Sequence, residues 1–232
     1  MKFVYPVYPD ATTSAHAGSF TNMYRANDGS IDAAMTGIDN TDDIEFALDT
    51  SRTVDSVAIY VTTGTATVNI HKNASPSASL GSGSISAGWN IVTVSAGQAS
   101  QYWHVVFSSV SSVEVSEIFP AYTFDFPYGY DLGNTDASIF GVDSVDSRGG
   151  SNFSNKRHAE RFIKDWTWGT FSDTNKTAYK AMITAVDGVR SKFLWYDEDS
   201  AYQWVKFIEP PTFNREAYDA HTVSTKIIEQ LT

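Results

Sequence analysis

The chain has no cysteine among its 232 residues. That excludes disulfides, zinc–thiolate centres and thiol nucleophiles together, and it leaves stability to packing. No stretch approaches the roughly 20 consecutive apolar residues that a membrane-spanning helix needs. Bases are scarce as well, with 16 Lys and Arg against 27 Asp and Glu and a net charge of −11. Such a surface repels phosphate backbones, and no basic stripe overrides it, so direct nucleic-acid binding is excluded. The phosphate-cradling patterns G-x-G-x-x-G and G-x-x-x-x-G-K are missing too. The opening residues, Met1 to Pro9, include two prolines and no uninterrupted apolar core, a poor signal peptide. The expectation is a chain made and assembled in a cytoplasm.

What is present is apolar and aromatic. Hydrophobic residues make up 42% of the chain and aromatics 14%, enough for a real core in one large domain or two modest ones. Charge of either sign is thin in residues 1–121, which hold four of the 16 Lys and Arg. Strands with Ser and Thr on their solvent faces have that composition. Residues 10–43 read as polar and irregular, with turn signals at Asn27-Asp28-Gly29-Ser30 and around Asp39–Asp43. Six short strands follow at close intervals: Ile44–Leu48, Ser56–Val61, Ala66–His71, Gly88–Val94, Tyr102–Phe107 and Val113–Ile118. Gly64-Thr65 reads as a hairpin turn, and residues Ser77 to Ser86 as a flexible Ser/Gly loop. Alternating apolar residues, frequent turns and no helical period predict a jelly-roll β-sandwich over 1–121.

The second half has another grammar. Residues 122–155 read as an extended linker or arm, with an aromatic run at Tyr122–Tyr130 and a turn at Ser147–Asn152. Residues 156–232 then predict a small β-sheet with one flanking helix, in the order β-α-β-β-β. Arg157–Trp168 alternates as a long strand. Ser172 is a candidate N-cap, Ala178, Tyr179, Met182, Ile183 and Val186 share a helical face, and Gly188 stops the helix. Lys192–Tyr196 and Tyr202–Ile208 are strands joined by the acidic turn Asp197–Ser200, and Ala220–Gln230 is the last strand. The fold class is therefore mainly β, with a sandwich followed by a smaller sheet-and-helix domain.

Candidate chemistry is sparse. The five histidines, His16, His71, His104, His158 and His221, show no metal-ligand spacing. Gly81-Ser82-Gly83-Ser84 lacks the strand and helix that a nucleophile elbow requires. The cluster Asp197-Glu198-Asp199 reads as a solvated turn tip, with a weak hydrolase reading beside it. No carboxylate pair can be assigned the spacing of a glycosidase. The chain is therefore expected not to be an enzyme. Two places stand out. The turn Ala26–Asp32, with Glu117 on the last sandwich strand, offers oxygen ligands to a hard cation, and a capped turn with a solvated Glu is the competing reading. Trp89, Tyr102 and Trp103 are aromatics that could stack on a sugar ring, with a core role competing for Trp89.

The residues Ala26-x-Asp28-Gly29-x-x-Asp32, Ile44–Leu48, Val57–Tyr60, Gly88-Trp89-Asn90 and Val115–Ile118 resemble the discoidin or F5/8-type jelly roll. That galactose-binding-like fold is shared by many carbohydrate-binding modules, and the resemblance spans roughly residues 20–120. It implies a structural calcium site with Asn27 (through its carbonyl), Asp32 and Glu117 as ligands. The second half, from Arg161 through the helix to Phe207, resembles tailed-bacteriophage tail proteins of the distal-tail and minor-tail kind. The two resemblances together imply a virion structural component of the tail tip or baseplate. Its C-terminal domain would build a homo-oligomeric ring, a hexamer, by lateral pairing of long strands. The sandwich would project outward to other tail proteins or a host-surface glycan. The alternative is a stand-alone carbohydrate-binding module or the accessory domain of a glycan-active system.

Overall fold

The structure, a computed structural model, describes residues 1–7, 12–18, 20–28, 30–73, 78–95, 98–127, 135–146, 152–196 and 201–230; side chains are described except at 12–16, 140–146 and 152–159. The chain is mainly antiparallel β, with one α-helix among the described residues. It forms two compact units, one of Val4–Thr123 and one of Met1–Phe3 together with the residues from Phe124 onward.

The first unit is built mainly from four long strands, with two short ones before them. After β1 (Lys2–Pro6) and β2 (Thr12–Ala17) comes a short 3-10 helix, Met23–Asn27. The rest is β3 (Asp43–Thr53), β4 (Ser56–Lys72), β5 (Gly81–Thr93) and β6 (Ala99–Asp125). Residues Ser56–Val61 and Ala66–His71, expected to form a hairpin, are one continuous strand that bends. Gly64 sits at the bend with φ +80°, a conformation that side chains rarely adopt, and a Cβ there would run into the Ser112 carbonyl. Tyr102–Phe107 and Val113–Ile118 are likewise one strand, β6. It bends beside Gly64 through Ser109 and Ser112, both at positive φ, and the β4–β6 register slips repeatedly there. The expected loop at Ser77–Ser86 is also corrected. Residues Gly81–Ser86 are strand, paired with Thr65–Ile70. Small residues hid the strand from sequence, but Gly83 lies where a Cβ would be 3.2 Å from Val92.

These bends give each long strand two arms. One layer holds β5 (88–93), β4 (56–61) and β6 (115–121); the other holds β5 (81–86), β4 (65–70), β6 (102–108), β3 and β2. Alternation places Val57, Ile59, Val61, Val68, Ile70, Val105, Phe107, Val115 and Ile118 in one buried core with Phe46 and Trp103. A bridge from Met35 to Val115 closes the edge of the first layer and buries Met35.

The second unit is a sheet with one helix. Its elements are β7 (Thr135–Asp146), β8 (Asn152–Phe171), α1 (Asp173–Ala185), β9 (Phe193–Tyr196), β10 (Tyr202–Phe207), β11 (Thr212–Ala217) and β12 (Ala220–Glu229). β12 is the spine. One edge pairs β8, while the other pairs β11 near its start and β10 near its end. β11 was not anticipated from sequence, because five of its six residues are exposed and only Phe213 is half-buried.

Ser172 caps α1 by accepting the Asn175 N–H at 3.1 Å, and Gly188, at φ +61°, turns the chain away after it. The helix buries Tyr179 and Met182 against an aromatic core. Phe126 stacks on Trp168 at 4.4 Å and 9°, and Phe124 on Tyr179 at 5.0 Å and 24°. Complete burial pushes the Tyr179 hydroxyl far above its ordinary range, so it stays neutral and bonds Thr225 Oγ1 at 2.8 Å. No described helix is long and apolar enough to cross a membrane.

Candidate functional site

The aromatic candidates of the sandwich separate sharply. Trp103 is wholly buried, and its indole N–H donates to the Ser100 carbonyl at 3.2 Å. Its ring is closed to a sugar, which corrects the expectation of a stacking platform there. Alternation explains the outcome, since Trp103 has the parity of Val105 and Phe107, the inward face of β6. Tyr102, of opposite parity, is half-buried.

Trp89 lies on the outward face of the first layer. It pairs across the strands with Tyr60, which in turn pairs with Glu117. The Trp89 ring meets Tyr60 at 5.2 Å and Phe119 at 5.9 Å, both edge-on. It reaches Phe119 over Ala58, the small residue opposite Phe119. Trp89 remains half-buried.

The three expected calcium ligands have different settings. Asn27 ends the 3-10 helix, Asp32 is exposed in the turn after it, and Glu117 is buried on β6. The Met35–Val115 bridge fastens that turn segment to β6 two residues before Glu117. Within the turn, Asp28 is engaged by Arg25 at 3.1 Å and by the Ser30 N–H at 2.9 Å. Among the described residues no three His, Asp or Glu side chains are placed to hold a metal ion. In the expected ligand set Asn27 would contribute its main-chain oxygen.

Two polar clusters were not anticipated. In the sandwich, His104 is fully buried, with Nδ1 3.1 Å from the Asp43 carboxylate and Nε2 2.8 Å from the Asn73 carbonyl. Asn73, at φ +71°, is also held by Ser100 Oγ and the Tyr102 carbonyl, so this cluster fixes the turn after β4. In the second unit, His221 is buried, with Nε2 2.6 Å from Asp173 Oδ1 at the start of α1. That hydrogen bond holds the Asp173 carboxyl below its ordinary range. Parity could have flagged both histidines as sheet residues, but their carboxylate partners come from distant positions. The acidic turn Asp197–Asp199 lies outside the described residues.

The edge of the second unit is the remaining feature. β7 pairs β8 along its whole length, from Thr135↔Asp165 to Asp146↔Asn152. β12 pairs β8 only from Ile163 to Phe171. Residues Asn152–Arg161 and their β7 partners therefore form a two-stranded ribbon with no third strand among the described residues.

No family model matches the chain, and no curated protein does. Solved structures give distant likenesses. A family 32 carbohydrate-binding module of AlyQ in complex with 4,5-unsaturated mannuronic acid is 16% identical, at TM-score 0.40, over 47% of this chain and 92% of that one. The family 32 module from C. perfringens NanJ in complex with galactose is 14% identical, at 0.40, over 53% of this chain and 100% of that one. A truncated AlyQ with CBM32 and alginate lyase domains is 14% identical, at 0.44, over 88% of this chain and 57% of that one. The two single modules each cover about half of the chain. At these scores and identities the likenesses carry no argument about what the chain binds or does. The strands themselves define the class: an antiparallel β-sandwich joined to a second unit of one sheet and one helix.

Proposed function

We propose that the chain is a non-catalytic assembly protein, a structural part of a phage tail whose second unit joins copies of itself by lateral strand pairing. The observation that carries this reading is the β7–β8 ribbon. A two-stranded ribbon is marginal on its own in water, and its edges offer rows of unpaired backbone N–H and C=O groups. A neighbouring copy's strand would satisfy them. The sandwich is left to contact another protein or a glycan. Negative-stain images of the purified chain test this reading: closed rings of one size support it, and a field of single particles contradicts it.

A second reading, a glycan-binding module, draws on Trp89. A half-buried Trp braced edge-on by Tyr60 and Phe119 presents a rigid partial face of the kind sugars stack on. Galactose and unsaturated mannuronate are suitable first probes. Binding that Trp89→Ala abolishes and Tyr102→Ala preserves would favour this reading; no binding to either sugar or to a glycan array would remove it.

A further inference from the structure

The second unit carries both halves of a complementary contact. Ile139, Ile163, Val189, Ile208 and Ile228, with the buried Phe207, line a groove of about 460 Å³ flanked by Lys206 and Lys226. Ile139 is 40% exposed, Val189 40% and Ile208 39%. Half of the large hydrophobic side chains exposed among the described residues thus converge on one groove. Lys226 has Asp165 only at 4.0 Å, so the groove keeps cationic flanks. That is unusual on a chain of net charge −11.

The most exposed large hydrophobic residue lies at the other end of the same unit. Tyr218 is 90% exposed at the tip of the β11–β12 hairpin, where Ala217 pairs Ala220. Acids surround it. Glu216 precedes it and accepts the Thr222 hydroxyl, and Asp219 follows it and accepts the Asp173 N–H. Arg215, which donates to the Ala217 carbonyl, and the buried His221 are the basic residues of the hairpin, and Lys176 of α1 lies beside His221. An aromatic knob flanked by acids matches an apolar hole flanked by lysines. A strand rises about 3.3 Å per residue, so the tip lies roughly 25 Å along β12 from Lys226. Tyr218 cannot fill its own chain's groove.

We propose that Tyr218 of one copy seats in the Ile139–Ile208 groove of a second copy, with Glu216 and Asp219 meeting Lys206 and Lys226. The contact is head-to-tail, and a head-to-tail contact that repeats closes a ring or runs on as a filament. This rests on the assembly reading and adds to it the side chains that select the neighbour.

Sedimentation velocity on the full chain tests it, with near-ultraviolet circular dichroism confirming that each variant is folded. Tyr218→Ala and Ile208→Glu should each weaken self-association at least about tenfold, as loss of a central aromatic anchor does. Each variant retains one intact half, so an equimolar mixture should associate more tightly than either variant does alone. Lys206→Glu should weaken assembly, and adding Glu216→Lys should restore it. If the wild type assembles and neither single variant changes its mass, this contact is wrong while the assembly reading stands. If the wild type stays monomeric, both fall.

Discussion

At the scale of the residue, three side chains test how burial and partners assign roles. Trp103 sits in the sandwich core, so Trp103→Ala should cost about 3–5 kcal/mol in urea unfolding. Trp89→Ala, at a half-buried site, should cost clearly less in the same measurement; equal costs would contradict the separation of the two rings. Asp173 tests the polar side. Its carboxyl is held low in the folded state, so its pairing with His221 stabilises above the unfolded carboxyl pKa of about 4 and is lost as pH falls through the lower folded value. Asp173→Asn should therefore lower Tm at neutral pH, with the gap to wild type closing in acid. A gap independent of pH would mean that the Asp173 carboxylate's hydrogen bond to His221 contributes nothing.

Much of the second unit was legible from its sequence at this scale. Ser172 as N-cap, Tyr179, Met182 and Val186 buried on one helix face, and Gly188 at the stop follow from local rules, whereas Ala178, expected on that face, is exposed and Ile183 only half-buried. Tyr102–Phe107 is a strand as expected, and Trp103 is buried because it shares the inward parity of Val105 and Phe107. The His104–Asp43 and His221–Asp173 pairs were invisible in the sequence: 61 and 48 residues separate the partners, and only the strand register joins them.

At the scale of the element, the bends decide the sandwich. Local turn chemistry at Gly64 suggested a hairpin. Instead the glycine lets one strand pass from one layer to the other, a choice set by pairing along all of β6 rather than by nearby residues. Gly64→Ala must strain a positive φ and push a Cβ into the Ser112 carbonyl, so it should cost more than about 2 kcal/mol. Gly88, at φ +97°, has open space around its missing Cβ, and Gly88→Ala should cost only the backbone term, about 1 kcal/mol. Equal midpoint shifts in denaturant would show that the close approach at Gly64 does not matter. β1, β2 and β11 escaped the sequence reading because their alternation is short or largely exposed.

At the scale of the whole molecule, the exposed edges and apolar surface gather in the second unit. The sandwich pairs its buried His104 with Asp43, and the second unit has an open ribbon, an apolar groove and an exposed aromatic tip. Features of that kind are usually covered in a working protein. The most direct measurement is the solution mass of the intact chain over a wide concentration range, by light scattering or sedimentation equilibrium. The account predicts a concentration-dependent rise from the 25.5 kDa chain to a defined multiple of it. A mass that stays at 25.5 kDa at the highest concentration reached would contradict it.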